Sequence, residues 1–240
     1  MVKRKSASTF VLVHGAWHGG WCWRRVADRL AARGHKVFTP TLTGLGERAH
    51  LMSPTIGLDT HVTDVVNLFR FERLSNVVLA GHSYAGAVIS GVAEEIADKI
   101  SSVVFLDAFM PGDGESGRDS WPPEMRQRRD QEAAASGGLT VPPPPAAFFK
   151  VNKKDQPLVN ALMVPHPYKT FTDKARYSGA RDSIARKTYA FSPLYNAPYF
   201  RANYERLKKN RAWQVFQVPC GHDMMLDMPE ETAGILETAA

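Results

Sequence analysis

Asn76-Val77-Val78-Leu79-Ala80-Gly81-His82-Ser83-Tyr84-Ala85-Gly86 runs an apolar strand into a serine flanked by small residues, and a helical stretch follows. A serine at a sharp strand-to-helix turn projects its hydroxyl away from the sheet. Gly81 and Ala85, two positions to either side, let the backbone fold tightly there. The usual form of this motif is G-x-S-x-G, from which Ala85 departs. Alanine meets the steric demand for a small residue, although a positive φ at that site would strain it. Ser83 is the candidate nucleophile, and it needs partners.

Outward from this segment, short apolar runs alternate with longer amphipathic ones: Thr9 to His14, Trp21 to Arg33, Lys36 to Thr41, Thr60 to Leu74, Val77 to Ala80, Ala87 to Ile100 and Ser102 to Leu106. In the first helical stretch Val26, Ala27, Leu30 and Ala31 share a face, and Gly34 supplies a stop. Continuously apolar strands between helices predict a parallel α/β sheet of about six mainly parallel strands, covered by helices on both faces. From Met110 to about Ala185 the rhythm fails, with Pro122-Pro123, a charged run from Glu124 to Glu132, Gly137-Gly138 and Pro142 to Pro145. The apolar and aromatic residues of this stretch predict a small helical lid rather than a disordered linker. The rhythm resumes with Lys187 to Phe191, Tyr199 to Lys209, Trp213 to Val218 and a last helix from Glu230. The expected organisation is a core of residues 1–110 and 186–240 around a lid of residues 111–185.

The 240 residues, 44% of them hydrophobic, suffice for one sizeable core plus an insertion. Net charge is +6, but basic residues mingle with acidic ones except at Lys3-Arg4-Lys5 and Lys208-Lys209-Asn210-Arg211. No interleaved basic and aromatic stripe accompanies them, so no nucleic-acid partner is expected. Cys22 and Cys220 are too few for a disulfide framework, which points to a reduced, cytoplasmic setting. Phe10-Val11-Leu12-Val13 is too short for a signal peptide, and no run is long enough to cross a membrane, so no membrane partner is expected. A homodimer is compatible with this composition.

A serine hydroxyl needs a neutral imidazole to take its proton during attack and return it to the leaving group. Of eight histidines, His222 follows the last predicted strand, in Pro219-Cys220-Gly221-His222-Asp223, at the sheet edge where the serine turn also emerges. An unperturbed imidazole would lose that role below about pH 6.5. The orienting acid commonly follows the penultimate strand, but Ser192-Pro193-Leu194-Tyr195-Asn196 contains no carboxylate. Asp107, at the carboxyl end of Val103 to Leu106, is preferred over Asp223 and Asp227, which stand too near His222 to grip its ring from behind. Backbone donors for the oxyanion are expected at Tyr84, directly after the nucleophile, and at Ala16 in the turn His14-Gly15-Ala16-Trp17. His14, His18 and Cys22 have a spacing that a metal could use on a helix, but the neighbouring glycines argue against a helix, and no metal is expected. Gly44-Leu45-Gly46 lacks the full dinucleotide fingerprint and reads as a turn.

With these residues in place the chain resembles the alpha/beta-hydrolase fold, in the branch of plant methylesterases, hydroxynitrile lyases and similar bacterial esterases. The resemblance spans nearly the whole chain. It is carried by Phe10 to Trp23, Thr43-Gly44-Leu45-Gly46-Glu47-Arg48, Gly81 to Gly86 and Gly221-His222-Asp223-Met224-Met225. It implies Ser83 as nucleophile, His222 as base and the amides of Ala16 and Tyr84 as oxyanion donors. The lyases of that branch place a threonine where Gly15 stands and a lysine where Asp223 stands, so ester hydrolysis is favoured. The expected function is a cofactor-independent serine carboxylesterase acting through an acyl-enzyme on small to medium apolar esters. Trp17, Trp21, His82, Phe148 and Phe149 are its expected pocket. Two other readings remain, a carbon-carbon lyase or cofactor-free oxygenase on the same fold, and a non-catalytic ligand receptor.

Overall fold

Six apolar runs become strands of one fully parallel sheet: β1 (Thr9–Val13), β2 (Lys36–Phe38), β3 (Val77–His82), β4 (Ile100–Leu106), and, past a two-stranded pair of β5 (Thr140–Val141) and β6 (His166–Pro167), β7 (Arg186–Phe191) and β8 (Gln214–Gln217). The structure is a computed structural model that describes residues 7–240, so the basic run Lys3-Arg4-Lys5 lies outside it. Sheet order is β2-β1-β3-β4-β7-β8. The central β3 is buried from end to end, whereas the edge strands β2 and β8 have no fully buried residue. That difference is why the central strands read as unbroken apolar runs and the edges do not.

From β1 the chain steps outward to β2 and then crosses back to β3 and β4. Right-handed crossovers therefore put helix Arg24–Ala32 on one face and helices Leu58–Phe71 and Ala85–Ile96 on the other. Leu58–Phe71 packs against Ala85–Ile96, and Arg24–Ala32 against the last helix, Pro229–Thr238. The order reverses between β1 and β3, and a crevice opens beyond the carboxyl ends of strands at such a point. The turns carrying Ala16 and Ser83 both start there.

The helix after the serine begins at Ala85 and ends at Ile96, earlier than the expected Ile100, because Ile100 already pairs with Val77 as the first residue of β4. Residues 111–185 contain helices, the longest Pro123–Ala135, as expected. They also contain the antiparallel β5–β6 pair, which corrects the expectation that no sheet occurs there. Each of its strands is two residues long, too short for an alternating pattern to register in sequence. The insertion is tied to the core by Arg25, which donates to both carboxylate oxygens of Asp155 at 2.7 Å. It is tied again at Trp17, whose carbonyl accepts from the Val164 amide at 3.0 Å and whose amide donates to His166 Nδ1 at 3.2 Å. Among the described residues no helix is long and apolar enough to cross a membrane.

Candidate active site

Ser83 sits at φ 55°, between the end of β3 and the start of the helix at Ala85. Its backbone is held on both sides: its amide donates to the Leu106 carbonyl at 3.2 Å, and its carbonyl accepts from Phe109 at 3.0 Å. The strained φ thus falls on the serine itself. Ala85 is an ordinary first residue of a helix, so the departure from G-x-S-x-G costs the turn nothing. The glycines that this turn requires are Gly81 and Gly86. A Cβ on Gly81 would lie 2.8 Å from the Ala85 carbonyl oxygen, and one on Gly86 would lie 2.0 Å from that of Phe109.

His222 follows β8, and its amide donates to the Phe149 carbonyl at 2.8 Å. Its Nδ1 lies 2.6 Å from Asp107 Oδ2, and Asp107 Oδ1 accepts from the Ser192 amide at 3.2 Å. Asp107 therefore reaches His222 from the neighbouring strand, β4. Asp223 instead turns away to His18, and Asp227 binds the Asn152 and Gly221 amides. Phe149 and Phe200 stack on the His222 ring. Burial pushes His222 down to about 4, below the ordinary imidazole value near 6.5 used in the sequence reading. Burial pushes the Asp107 carboxyl up, against the Ser192 amide, which favours the carboxylate. With Nδ1–H donated to Asp107, Nε2 of a neutral ring keeps its lone pair.

The turn after β1 is built around two histidines. His14 Nε2 accepts from the Leu42 amide at 3.0 Å, which leaves the proton on Nδ1, and Nδ1 donates to the Gly15 carbonyl at 2.8 Å. Burial holds His14 neutral, down to about 3. The Gly15–Ala16 peptide is trans, so anchoring its carbonyl aims the Ala16 N–H the opposite way. Among the described residues no turn or loop hydrogen bond uses the amide of Ala16 or of Tyr84. His18 faces acceptors with both nitrogens, the Ala16 carbonyl at 2.8 Å and Asp223 Oδ2 at 3.0 Å, which calls for an imidazolium. Burial opposes that charge, but the buried Asp223 carboxylate outweighs it and raises the His18 pKa.

These engagements bear on metal binding. His82, His222 and Asp223 offer ligand atoms within 4.8 Å of one another. However, His82 Nε2 lies 3.0 Å from the His222 carbonyl and so carries a proton rather than a free lone pair. His14 and His18 are spent in the turn as described, and Cys22 is a buried thiol whose pKa burial raises.

Ser83, His222, Ala16 and Tyr84 all line one cavity of about 120 Å³. Trp17, Phe148 and Phe149 line it too, as expected from sequence. Trp21 and His82 do not. Trp21 stacks on His18 and borders a separate surface depression, because the chain has already turned into the short helix Gly20–Trp23. His82, the last residue of β3, packs against the His222 ring and is 1% exposed, since successive strand residues point to opposite faces.

The sequence matches the alpha/beta hydrolase family over residues 10–235. The chain belongs to that family. Among its relatives, the carbendazim hydrolyzing esterase of Nocardioides sp. (strain SG-4G) is 41% identical over 234 residues, spanning 94% of this chain and 97% of the relative. Methyl jasmonate esterase 1 of Vitis vinifera is 35% identical over 121 residues, half of this chain and 46% of the relative. An extracellular alpha/beta-hydrolase from a Paenibacillus species, described as sharing structural and functional homology with tobacco salicylic acid binding protein 2, superposes with a TM-score of 0.86 at 25% identity, over 97% of this chain and 99% of that one.

Several cavity residues of this hydrolase were missed in its sequence. Tyr195 and Phe200 sit in the loop and helix after β7 and carry no sequence signal beyond their aromaticity. Arg129 falls within the charged run from Glu124 to Glu132. The signal that could have found it is Met125, Arg129 and Ala133 at intervals of four in an otherwise polar helix, a stripe that faces inward.

Proposed function

We propose that Ser83, His222 and Asp107 form the catalytic triad of this carboxylesterase, with the amides of Ala16 and Tyr84 as its oxyanion hole. The protein hydrolyses carboxylic esters, as its 41% identical esterase relative supports over nearly the full chain. The observation that carries the assignment is the 2.6 Å contact between Asp107 and His222 at a cavity that also holds the Ser83 turn. In the proposed cycle, His222 Nε2 takes the Ser83 proton as Oγ adds to the ester carbonyl. The oxyanion is met by the two amides, and the alcohol leaves with the proton from His222. Water, deprotonated by the same Nε2, then splits the acyl-enzyme to the acid. No cofactor enters any step.

Residues 111–185 act in this reading as a lid that walls the cavity with aromatic side chains, Trp121 and Phe171 among them, and so favours small to medium apolar esters. The test is hydrolysis of short and medium p-nitrophenyl esters with a metal chelator present. Wild type should turn over, and Ser83→Ala should lose at least about three orders of magnitude in kcat. A Ser83→Ala variant as active as wild type would remove the triad from the account.

A further inference from the structure

Arg129 lies on helix Pro123–Ala135 and, with Met125 one turn earlier, lines the cavity that holds Ser83 and His222. It is 4% exposed. Nη1 donates to Glu132 Oε2 at 2.8 Å and to the Pro142 carbonyl at 3.1 Å, and the guanidinium lies 4.9 Å from the centre of the Trp17 ring. Among the described residues both of its hydrogen bonds come from Nη1, and nothing accepts from its Nε or Nη2. A buried cation with unpaired N–H groups thus borders a cavity whose walls are mainly aromatic and aliphatic.

Arginine cannot shed its proton at any working pH, so those N–H groups stay donors. A ligand that offers only hydrocarbon there leaves them desolvated and unpaired, which is costly. One that offers an acceptor gains a charge-assisted hydrogen bond. Sites built this way discriminate strongly against analogues that lack the polar group. Glu132 already balances much of the charge, so the subsite asks for a neutral acceptor rather than a carboxylate. The Trp17 ring, 4.9 Å from the guanidinium, adds a planar surface that suits an aromatic ring.

We propose that Arg129 is a specificity-determining residue of this esterase, selecting aromatic esters that carry a second, neutral hydrogen-bond acceptor such as a ring carbonyl or ring nitrogen away from the scissile group. The proposal rests on the serine-esterase reading for the orientation of the substrate, with the scissile ester at Ser83 and the acceptor at the insertion wall.

The experiment compares near-isosteric esters, methyl 4-acetylbenzoate with methyl 4-isopropylbenzoate and the corresponding 3-substituted pair. Two readouts are taken: kcat/KM on the wild-type background, and Kd on Ser83→Ala from the fluorescence of the cavity tryptophans. The acetyl member of at least one pair should be preferred about 10- to 100-fold in both readouts. That ratio should fall to about 1 in Arg129→Met and to an intermediate value in Arg129→Lys, which keeps the charge but loses the fork. General damage to the insertion would weaken both esters alike and leave the ratio standing, so a ratio retained in Arg129→Met overturns the proposal. So does the absence of any preference, or of measurable binding, on Ser83→Ala. Should Arg129→Met not fold, the ratio in Arg129→Lys decides. A binding preference without turnover in wild type would uphold the subsite and sink the esterase reading.

Discussion

At the residue scale the site depends on a few atoms held against strong local costs. Asp107→Asn keeps the shape of the contact with His222 but presents an amide, which reverses the hydrogen bond or turns the imidazole to the wrong tautomer. In the serine-protease precedent the corresponding change costs about four orders of magnitude in kcat, and a similar loss is expected here with the melting temperature nearly retained. Near-normal turnover would move the acid elsewhere. Gly15→Ala would bring a Cβ to 2.9 Å from the Ser83 Cβ and 2.8 Å from His82 Nδ1. The turn carrying the Ala16 amide must then shift, and losing one of the two proposed oxyanion donors predicts a fall in kcat of about 100-fold or more. The pH profile follows from His222, whose titration burial pushes down to about 4. Above that value the ring is free to accept the Ser83 proton, and below it the site is already filled. In brief pH-jump assays kcat/KM should hold through pH 6.5 and fall about tenfold per unit below about 4. A midpoint above 6 would contradict a buried, neutral base.

At the scale of elements, the serine turn owes its sharpness to what lies behind it. Gly86→Ala would drive a Cβ to 2.0 Å from the Phe109 carbonyl oxygen, backbone against backbone, and a loss of about 3 kcal/mol or more is expected from the denaturant midpoint. Ala85→Gly, which restores the common motif, should instead cost only about 1 kcal/mol of helix stability and leave kcat within a few-fold. A large gain in rate from that change would mean that Ala85 does constrain Ser83. The sequence made this element legible because apolar run, small residues and serine fall within eleven positions. It also pointed, from the strand ends, to Asp107, which the structure brings to 2.6 Å from His222. What it hid depends on tertiary placement. Trp21 and His82 are as aromatic as Trp17 and Phe149, and only the chain path decides that the first two face away from the cavity. Arg129 is hard to tell from the charges around it because its burial, over Trp17, shows in sequence only as a short stripe with Met125 and Ala133 in a polar helix.

For the whole molecule, five histidines, His14, His61, His82, His166 and His222, are held neutral by burial, with titration below the ordinary imidazole value. The unfolded chain binds these protons near pH 6.5 and the folded chain only at lower pH. Their stabilisation is therefore complete above about 6.5 and is lost as pH falls, by up to ~1.4 kcal/mol per unit for each group. Asp107, raised by burial, and His18, which burial opposes but Asp223 raises, work in the opposite sense, as two groups against five. The urea midpoint should accordingly drop steeply between pH 7 and pH 5 without a change in m. A constant midpoint over that range would show that these rings are protonated in the folded chain.

The two hydrogen bonds between Trp17 and residues 164 and 166 join the wall of the cavity formed by the insertion and the turn after β1 into one mechanical part. In the proposed cycle, specificity and rate are therefore set by one joined part. A chimera that imports another hydrolase's insertion while keeping the native turn after β1 would misfit at this seam, whereas one that imports both segments together would carry its own alignment with it. Recombination of this fold is thus constrained to travel in matched pairs that lie almost 150 residues apart in the chain.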